Sequence, residues 1–429
     1  MDAKEKATKL KPSSRRRFLK QGAVLVGLAT VGEIRSARGQ KLESRAPDER
    51  SFESFYGVPS HFESTVREMA PNQYPHMLSA LTPHQDSVGI ITPSGLHFYN
   101  IRSSEFPPSI DPRQHSLLIH GLVDRPLSFT VEELKRLPSV SRIHFIECRG
   151  NTIWPGGNHS GFRTVQETHG KASCSEWTGV LLSTLLREAG VRKEEGNWII
   201  AEAAGAGHHV KSIPIEMAMD DCFVAYAQNG EALRPEQGYP IRLLVPGAMG
   251  IHSVKHLRRI KVVDQPYMLN GEKAYNEPRP ILKGKSLWFN FKWPPKSVIT
   301  RPSGGQRLPR LGFYEITGLA WSGLGTVRKV EVSTDGGQTW KEARLQAPVL
   351  RKAHTRFCFD WNWDGQEAVL QSRCTDDQGF IQPSFDEFTE LWGYKPGAFK
   401  ITTVSAWVVN VIQPWKVSRE GSVENALLA

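Results

Sequence analysis

The stretch SRIHFIECRGN, residues 141–151, is typical of an apolar β-strand that ends at Cys148 and is followed by Gly150 and Asn151. A glycine directly after a strand lets the backbone turn sharply or approach another group closely. The cysteine could be inert packing, half of a disulfide, a nucleophile or a metal ligand. Other parts of the chain have to decide among these four alternatives.

The first 39 residues have the pattern of a twin-arginine export signal. Consecutive arginines, including Arg15 and Arg16, precede a short apolar run over residues 22–32. This order of basic, apolar and small residues is typical of a cleaved leader rather than of a folded element. The run is too short to cross a bilayer, which takes roughly 20 residues. We therefore expect a periplasmic protein without a membrane span.

The positive charge of the chain is concentrated in this leader. The net charge is +10, but residues 1–39 hold ten basic and three acidic residues, which leaves 44 basic and 41 acidic residues elsewhere. A nearly neutral body lacks the basic surface that nucleic-acid binding requires. We therefore expect no nucleic-acid partner.

The cysteines do not form a recognisable framework. There are five, at positions 148, 174, 222, 358 and 374, so at least one has no disulfide partner. No C-x-x-C or C-x-x-C-H motif occurs, which argues against a zinc ribbon and against a c-type haem site in this chain. Whether Cys358 and Cys374 pair is left open by the sequence.

The residues after the leader are too many for one core, so two domains are expected. Residues 40–89 show little periodicity and are predicted to wrap around a core. Residues 90–265 mix strands with short helices, which predicts an α+β domain. One helix should begin at Thr130, because Glu133 completes a capping box, and a second is predicted in residues 173–190.

Residues 266–429 lose the helical periodicity and read as regular short strands. The glycines of the DGG sequence at 335–337 favour a tight hairpin turn, because they tolerate positive φ. We predict an all-β sandwich of immunoglobulin type for this region.

A Gly- and Pro-rich loop with basic residues follows the apolar strand YPIRLLVPG, residues 239–247. Arg242 lies within that strand, where a buried cation needs a partner, and Lys255 follows the loop. A loop whose N–H groups and cations converge can hold an anionic group, although a solvated basic face is the alternative for any single residue.

Several motifs together resemble the sulfite oxidase family of molybdenum enzymes. They are HFIECRGN at 144–151, SCSEWTG at 173–179, the segment 228–260 and VEVSTDGGQTW at 330–340. The resemblance runs in order over residues 90–417. Within the family it is closest to the molybdenum subunits of sulfane (sulfite) dehydrogenases from thiosulfate-oxidising Sox systems, because of ALRPEQGYPIRLLVPG and the terminal IQPWKV.

The resemblance implies a role for each matching residue. Cys148 would ligate molybdenum, and Gly150 and Asn151 would let the backbone pass close to molybdopterin. Arg242, Lys255 and Ser253 would hold the phosphate of the cofactor. The remaining implied site residues are a tryptophan of the pocket, Trp177, and two catalytic residues, Arg102 and Tyr275.

Three departures from the family pattern concern the substrate. Ile153 occupies the position of an arginine that binds the substrate anion in sulfite oxidases, a late arginine is replaced by NVIQPWKV, and Gln237 replaces a histidine. Proteins recognise such anions mainly through charge-assisted hydrogen bonds. The departures therefore favour sulfur attached to a carrier protein, or another small substrate, over free sulfite.

The function implied by the resemblance is oxidation of a low-valent sulfur centre by oxygen-atom transfer. Without a haem site in the chain, the electrons would pass to a c-type cytochrome subunit, and the C-terminal domain would form a homodimer. Two alternatives remain. One is a molybdenum reductase acting on a sulfoxide or a similar oxide, and the other is a non-catalytic exported binding protein.

Overall fold

The computed structural model describes residues 57, 59–70, 78–101, 107–151, 163–205, 209–268, 279–281, 285–287, 289, 291–392 and 409–427. Residues Ser64–Ala429 form one compact unit, and Met1–Glu63 form another. In the latter, the Glu63 N–H donates to the Ser60 carbonyl at 2.8 Å. The predicted leader, residues 1–39, lies outside the described residues.

The segment that precedes the α+β region carries a small antiparallel sheet. It consists of β1 (Glu68–Met69), β2 (Leu78–Leu81) and β3 (Tyr99–Ile101). Two 3-10 turns, His84–Asp86 and Ser94–Leu96, lie between β2 and β3. The segment is tied to the rest of the unit, because the Gln166 side chain donates to the Leu81 carbonyl at 3.0 Å.

Two five-stranded sheets build the N-terminal half. One contains β6 (Val140–Glu147), β7 (Ala172–Leu181), β10 (Phe223–Gln228), β11 (Glu231–Ala232) and β12 (Arg242–Leu244), and its pairs are antiparallel. The other has the order β5 (Leu127–Thr130), β4 (Ser116–Gly121), β13 (Leu257–Val263), β8 (Trp198–Ala203) and β9 (Val210–Pro214). Only β4 and β13 run parallel in this second sheet.

Four short helices accompany these sheets: α1 (Val131–Arg136), α2 (Val165–His169), α3 (Leu182–Glu188) and α4 (Ile215–Asp220). The predicted capping box at Thr130 and Glu133 is confirmed. The predicted helix over residues 173–190 is wrong in its first part, where β7 pairs with β6 on one side and β10 on the other. The first part of this segment, SCSEWTG, is mostly small or polar, and the helical pattern of apolar residues belongs to α3, which follows it.

The N-terminal half has a core of its own, formed where the two sheets and α3 meet. Completely buried members include Ile119 of β4, Ile199 of β8, Val224 of β10 and Leu185 of α3. A second, smaller apolar cluster lies along β6, β7, β10 and β12, and half-buried Cys148 packs against it. The smaller cluster fixes the position of the strand that ends at Cys148.

The C-terminal half begins with a two-stranded ladder, β14 (Arg279–Ile281) and β15 (Lys285–Leu287), and continues with two larger sheets. The first sheet has the order β16 (Lys296–Arg301), β17 (Gly312–Trp321), β21 (Thr355–Trp363) and β20 (Arg344–Leu345). The second has the order β19 (Lys341–Glu342), β18 (Val327–Ser333), β22 (Ala368–Asp376), β23 (Trp415–Val417) and β24 (Val423–Asn425).

Both sheets contribute to one core, with Ile316 and Leu319 from the first and Val330 and Leu370 from the second. The predicted hairpin is present, because β18 and β19 pair across Gly336 and Gly337, whose φ angles are +76° and +92°. The predicted β-sandwich therefore has its expected architecture.

One helix departs from the all-β expectation, α5 (Phe385–Trp392). It begins after Ser384, whose N–H donates to Glu387 and whose hydroxyl accepts from the Glu387 N–H. Such reciprocal bonds are a strong helix start, and they are encoded by only two residues.

All five cysteines are free thiols, including Cys358 and Cys374, which lie on strands of different sheets. Within the described ranges, no helix is both long and apolar enough to cross a bilayer.

Candidate active site at the end of the cysteine strand

A tight turn follows β6 and presents Cys148. The Asn151 N–H donates to the Cys148 carbonyl at 3.0 Å, and the Cys148 N–H donates to the Lys171 carbonyl at 2.8 Å. The Asn151 side chain accepts from the Lys171 N–H at 2.8 Å, so the turn is fastened to the start of β7. Among the described residues, no atom lies within 4 Å of a Cβ added at Gly150, so they leave space beside the turn.

Cys148 differs from the other four cysteines in its environment. It is half-buried, whereas the others are buried. Burial raises the pKa of the Cys174 thiol to about 12 and also raises the pKa values of Cys222, Cys358 and Cys374. Because the thiolate is the form that binds metals, these four are poor ligands. Access therefore singles out Cys148 as the candidate ligand.

The basic loop predicted from the sequence lies against the same strand end. Glu147 forms an isolated parallel bridge with Met249. A Cβ at Gly250 would come within 2.9 Å of the Glu147 carbonyl oxygen, so the close approach requires glycine. The loop is closed by the Ser253 hydroxyl, which accepts from the Val245 N–H at 3.1 Å. Ser253 thus shapes the loop beside Cys148.

Arg242 is 3% exposed, and its described partners are neutral. Its guanidinium donates to the carbonyls of Gln237 and Ser253, each at 3.0 Å, and to the Gln237 side chain at 3.3 Å. Its Nε is buried without a hydrogen-bond partner among the described residues. Burial lowers the pKa of Arg242 to about 9. A buried cation with an unused donor is suited to bind an anion.

Trp177 lies directly beneath this guanidinium. The guanidinium carbon of Arg242 is 5.1 Å from the ring centroid, within the range of a cation–π contact. The Trp177 ring is completely covered by protein, and its Nε1 donates to the His144 carbonyl at 3.1 Å. The structure therefore places Trp177 as a support for Arg242.

Lys255 supplies the second cation. Its ammonium donates to the carbonyls of Asn100 and Glu236 at 3.1 and 3.0 Å. Burial, and secondly the charge of Arg242, lower the pKa of Lys255 to about 7, against the opposing effects of Glu236 and Cys148. The two cations and the cysteine are thus electrostatically coupled in one site.

The structure adds Asn100 and His97, which the sequence did not single out, and shows the contacts of Gln237, which it did. Asn100 Nδ2 donates to the Cys148 sulfur at 3.5 Å, and the Gln237 side chain donates to the Phe98 carbonyl at 2.8 Å. The His97 ring meets Trp177 edge-on at 5.6 Å, and burial lowers its pKa to about 3. The available signal was SGLHFYN, residues 94–100, whose polar residues interrupt an otherwise apolar run.

The two predicted catalytic residues, Arg102 and Tyr275, lie outside the described residues, as does Ile153. Their assignments therefore stay predictions from the resemblance. The described candidates form one connected group. Cys148, Gly150 and Asn151 lie in the turn after β6, and Lys255 is joined to that turn through Asn100. Arg242, on β12, contacts Trp177 of β7 and the Ser253 carbonyl, and its charge acts on Lys255.

Comparison with known proteins identifies the family to which this site belongs. A family model described as "Oxidoreductase molybdopterin binding domain" matches residues 104–269, and "Mo-co oxidoreductase dimerisation domain" matches residues 289–399. The crystal structure of the sulfane dehydrogenase SoxCD from Paracoccus pantotrophus superposes with a TM-score of 0.79 at 36% identity. The match covers 92% of this chain and 99% of that chain. The chain belongs to the sulfite oxidase family of molybdenum enzymes.

Two curated relatives show the breadth of this family. Mitochondrial sulfite oxidase of Rattus norvegicus is 28% identical over 331 residues, which are 71% of this chain and 59% of the relative. "Nitrate reductase [NADH] 1" of Arabidopsis thaliana is 33% identical over 334 residues, 70% of this chain and 36% of the relative. The chain thus spans only about a third of the nitrate reductase.

The sulfite oxidase family carries molybdenum on molybdopterin, and the described residues fit this cofactor. Arg242, with its unsatisfied Nε, and Lys255 can receive the phosphate. The accessible sulfur of Cys148 is a soft donor suited to a sulfur-rich metal shell. The open space at Gly150 leaves room for a bulky group beside the turn.

Proposed function

We propose that this chain oxidises a low-valent sulfur centre, with Cys148 as the protein ligand to molybdenum. The observation that carries the proposal is that an accessible thiol lies near two coupled cations, buried Arg242 and half-buried Lys255, whose described hydrogen-bond partners are neutral. The similarity to SoxCD supports sulfur as the reacting element, because SoxCD is a sulfane dehydrogenase.

The cofactor, when bound, supplies oxygen-atom transfer to sulfur and releases electrons one at a time. In each turnover, sulfur gains one oxygen atom from water, and two protons and two electrons leave. Arg242 and Lys255 hold the phosphate, and Trp177 holds the Arg242 guanidinium from below. The Asn100 amide donates to the Cys148 sulfur and withdraws negative charge from it. From the resemblance, Arg102 stabilises the developing oxyanion and Tyr275 hydrogen-bonds near the reacting oxygen.

Partners and location belong to the same proposal. Electrons pass to a c-type cytochrome subunit, and the C-terminal sandwich, which matches a dimerisation domain, pairs two copies. The twin-arginine pattern supports export to the periplasm. Sulfur bound to a carrier protein is the favoured substrate, because Ile153 lacks the charge that would bind free sulfite.

The test asks whether the protein catalyses oxidation or reduction, and on which substrates. The purified chain is assayed with its cytochrome partner for oxidation of sulfite and of a persulfidated carrier protein, and with a reduced viologen dye for reduction of nitrate and of a sulfoxide. We expect oxidation of the carrier, with Cys148→Ser inactive and Cys222→Ser unchanged. The match to nitrate reductases makes the reductive arm informative. Reduction of either oxide without sulfur oxidation would replace the proposal with a molybdenum reductase.

Full turnover of Cys148→Ser would remove the ligand assignment. Family membership leaves the third possibility, a non-catalytic binding protein, without support. Molybdenum and pterin analysis of the protein purified from the periplasm tests that point independently of activity.

A further inference from the structure

A buried carboxylate lies immediately before the candidate metal ligand. Glu147 is 0% exposed and is the last residue of β6. One of its carboxylate oxygens accepts from Lys296 at 2.6 Å and from the Asn151 side chain at 2.9 Å. The other accepts from Trp321 Nε1 at 2.7 Å. The Glu147 carboxylate is thus held by groups from both halves of the unit.

Lys296 connects to the turn at two places. It is the first residue of β16, in the C-terminal half, and its side chain is 0% exposed. Besides its bond to Glu147, the ammonium donates to the Asn151 carbonyl at 3.0 Å. It therefore contacts the residue before Cys148 and the residue three after it.

The tryptophan rings around this ammonium complete its enclosure. The Lys296 nitrogen is 5.2 Å from the centroid of Trp293 and 5.8 Å from that of Trp321. Trp293 Nε1 also donates to the Glu147 carbonyl at 3.3 Å. A charge so enclosed keeps one position, because leaving its partners would strand it in an apolar environment.

We propose that Lys296 is a positioning residue for the metal ligand, which fixes the Cys148 turn from the C-terminal sandwich through Glu147 and Asn151. The proposal rests on the proposed function, because it takes Cys148 as the ligand. Removing a group that does not touch the metal but orients one of its ligands typically lowers metal affinity or activity by about 10- to 100-fold. The sandwich then contributes directly to the geometry of the metal site in the other half of the chain.

The chain offers a matched control in Lys352. It too is a buried lysine of the C-terminal half, 2% exposed, and it pairs with an acid of the N-terminal half, Asp221, at 2.5 Å. No described hydrogen bond joins its ammonium to the Cys148 turn. Lys352→Met should therefore cost stability without changing the metal site.

The experiment measures molybdenum and pterin per chain, the electron paramagnetic resonance spectrum of the one-electron-reduced metal, and the unfolding midpoint. We expect Lys296→Met to shift the spectrum and to lower molybdenum retention at a given chelator concentration by at least tenfold. Lys352→Met should keep the wild-type spectrum and retention, even where its midpoint falls. A wild-type spectrum and retention in Lys296→Met would overturn the proposal.

Lys296→Met leaves the Glu147 charge buried without its partner, so it can fail to fold. The double variant Glu147→Gln, Lys296→Met removes both charges, which is generally tolerated better than removing one. Trp321→Phe removes one donor to the same carboxylate without changing any charge. Each is expected to shift the spectrum, and unchanged spectra in the variants that fold would refute the positioning role.

The outcomes separate the two proposals. A wild-type protein without molybdenum, or a Cys148→Ser variant with an unchanged spectrum, would contradict the ligand assignment. A wild-type protein that behaves as expected, beside a Lys296→Met variant identical to it, would refute only the positioning role.

Discussion

Replacing Arg242 with methionine should separate cofactor binding from folding. Methionine keeps much of the side-chain volume and removes the charge. In the structure the guanidinium is buried, donates to neutral oxygens and stacks on Trp177, so its charge is not balanced by any described acid. We expect the variant to fold and to lose most of its cofactor.

The magnitudes follow from the same contacts. Burial lowers the pKa of Arg242 from 12.5 to about 9. This shift means that burial disfavours the charged form by about 5 kcal/mol. Methionine relieves this cost but leaves the carbonyls of Gln237 and Ser253 without donors, at about 1–3 kcal/mol each. These effects nearly cancel, so the unfolding free energy of the cofactor-free protein should change by no more than about 2 kcal/mol.

For cofactor binding, no gain offsets the loss of the Arg242 charge. Truncating one partner of a buried charged pair costs about 2–5 kcal/mol, which corresponds to about 30-fold to several thousand-fold weaker binding. The assay is the pterin and molybdenum content of the purified variant, beside chemical unfolding of the cofactor-free form. The control is Arg356→Met, which removes another buried arginine with carbonyl partners, Gly89 and Ser87, and should retain the cofactor. Normal pterin content in Arg242→Met would refute the anchor.

The remaining predictions concern pH and substrate. The pKa of Lys255 is about 7 in the folded protein and 10.5 for an ordinary lysine, so between these values the unfolded chain holds a proton that the folded chain has lost. Lys255 should therefore contribute a rise in the stability of the cofactor-free protein with pH across that window, by at most ~1.4 kcal/mol per pH unit, and Lys255→Met should reduce the rise in a denaturant titration, most clearly below the Arg242 pKa of about 9. Burial lowers the pKa values of His84, His97 and His252 to about 4, 3 and 3, from 6.5. Stability should fall as the pH drops from 6.5 towards 4, because the unfolded chain gains protons first, and a flat unfolding midpoint over that range would contradict these assignments. Ile153→Arg should lower the KM for free sulfite about tenfold or more, since one charged hydrogen bond is worth about 1.5–3 kcal/mol, and an unchanged KM would show that residue 153 does not contact the substrate.

Local signals made much of the fold predictable. The capping box at Thr130 and the hairpin glycines at 336 and 337 each depend on neighbouring residues alone, and both are present. The sequence also predicted the strand before the turn, and β6 ends at Glu147, one residue before Cys148. Motif order also grouped Arg242 with Lys255, and the two are close enough for the charge of Arg242 to lower the pKa of Lys255, while their roles in holding the cofactor stay predictions.

Non-local contacts account for what the sequence did not show. Lys296 reads as an ordinary polar residue after two prolines, and only the approach of β16 to β6 turns it into the buried partner of Glu147, 149 positions away. Asn100 of β3 reaches the Cys148 sulfur across 48 positions of sequence, a non-local contact that the pattern of neighbouring residues does not show. The β7 strand was misread as helical because its pairing with β6 and β10 is a contact between residues that are distant in sequence. The pattern of neighbouring residues does not show such a contact.

The central claim is that the Cys148 sulfur binds molybdenum, and X-ray absorption at the molybdenum edge tests it most directly. The wild-type protein should show a sulfur-rich shell that includes one sulfur from the protein. Cys148→Ser, loaded with the same cofactor, should show one sulfur neighbour fewer and one additional light-atom neighbour, while Cys222→Ser should match the wild type. An identical sulfur count in the wild type and Cys148→Ser would contradict the account.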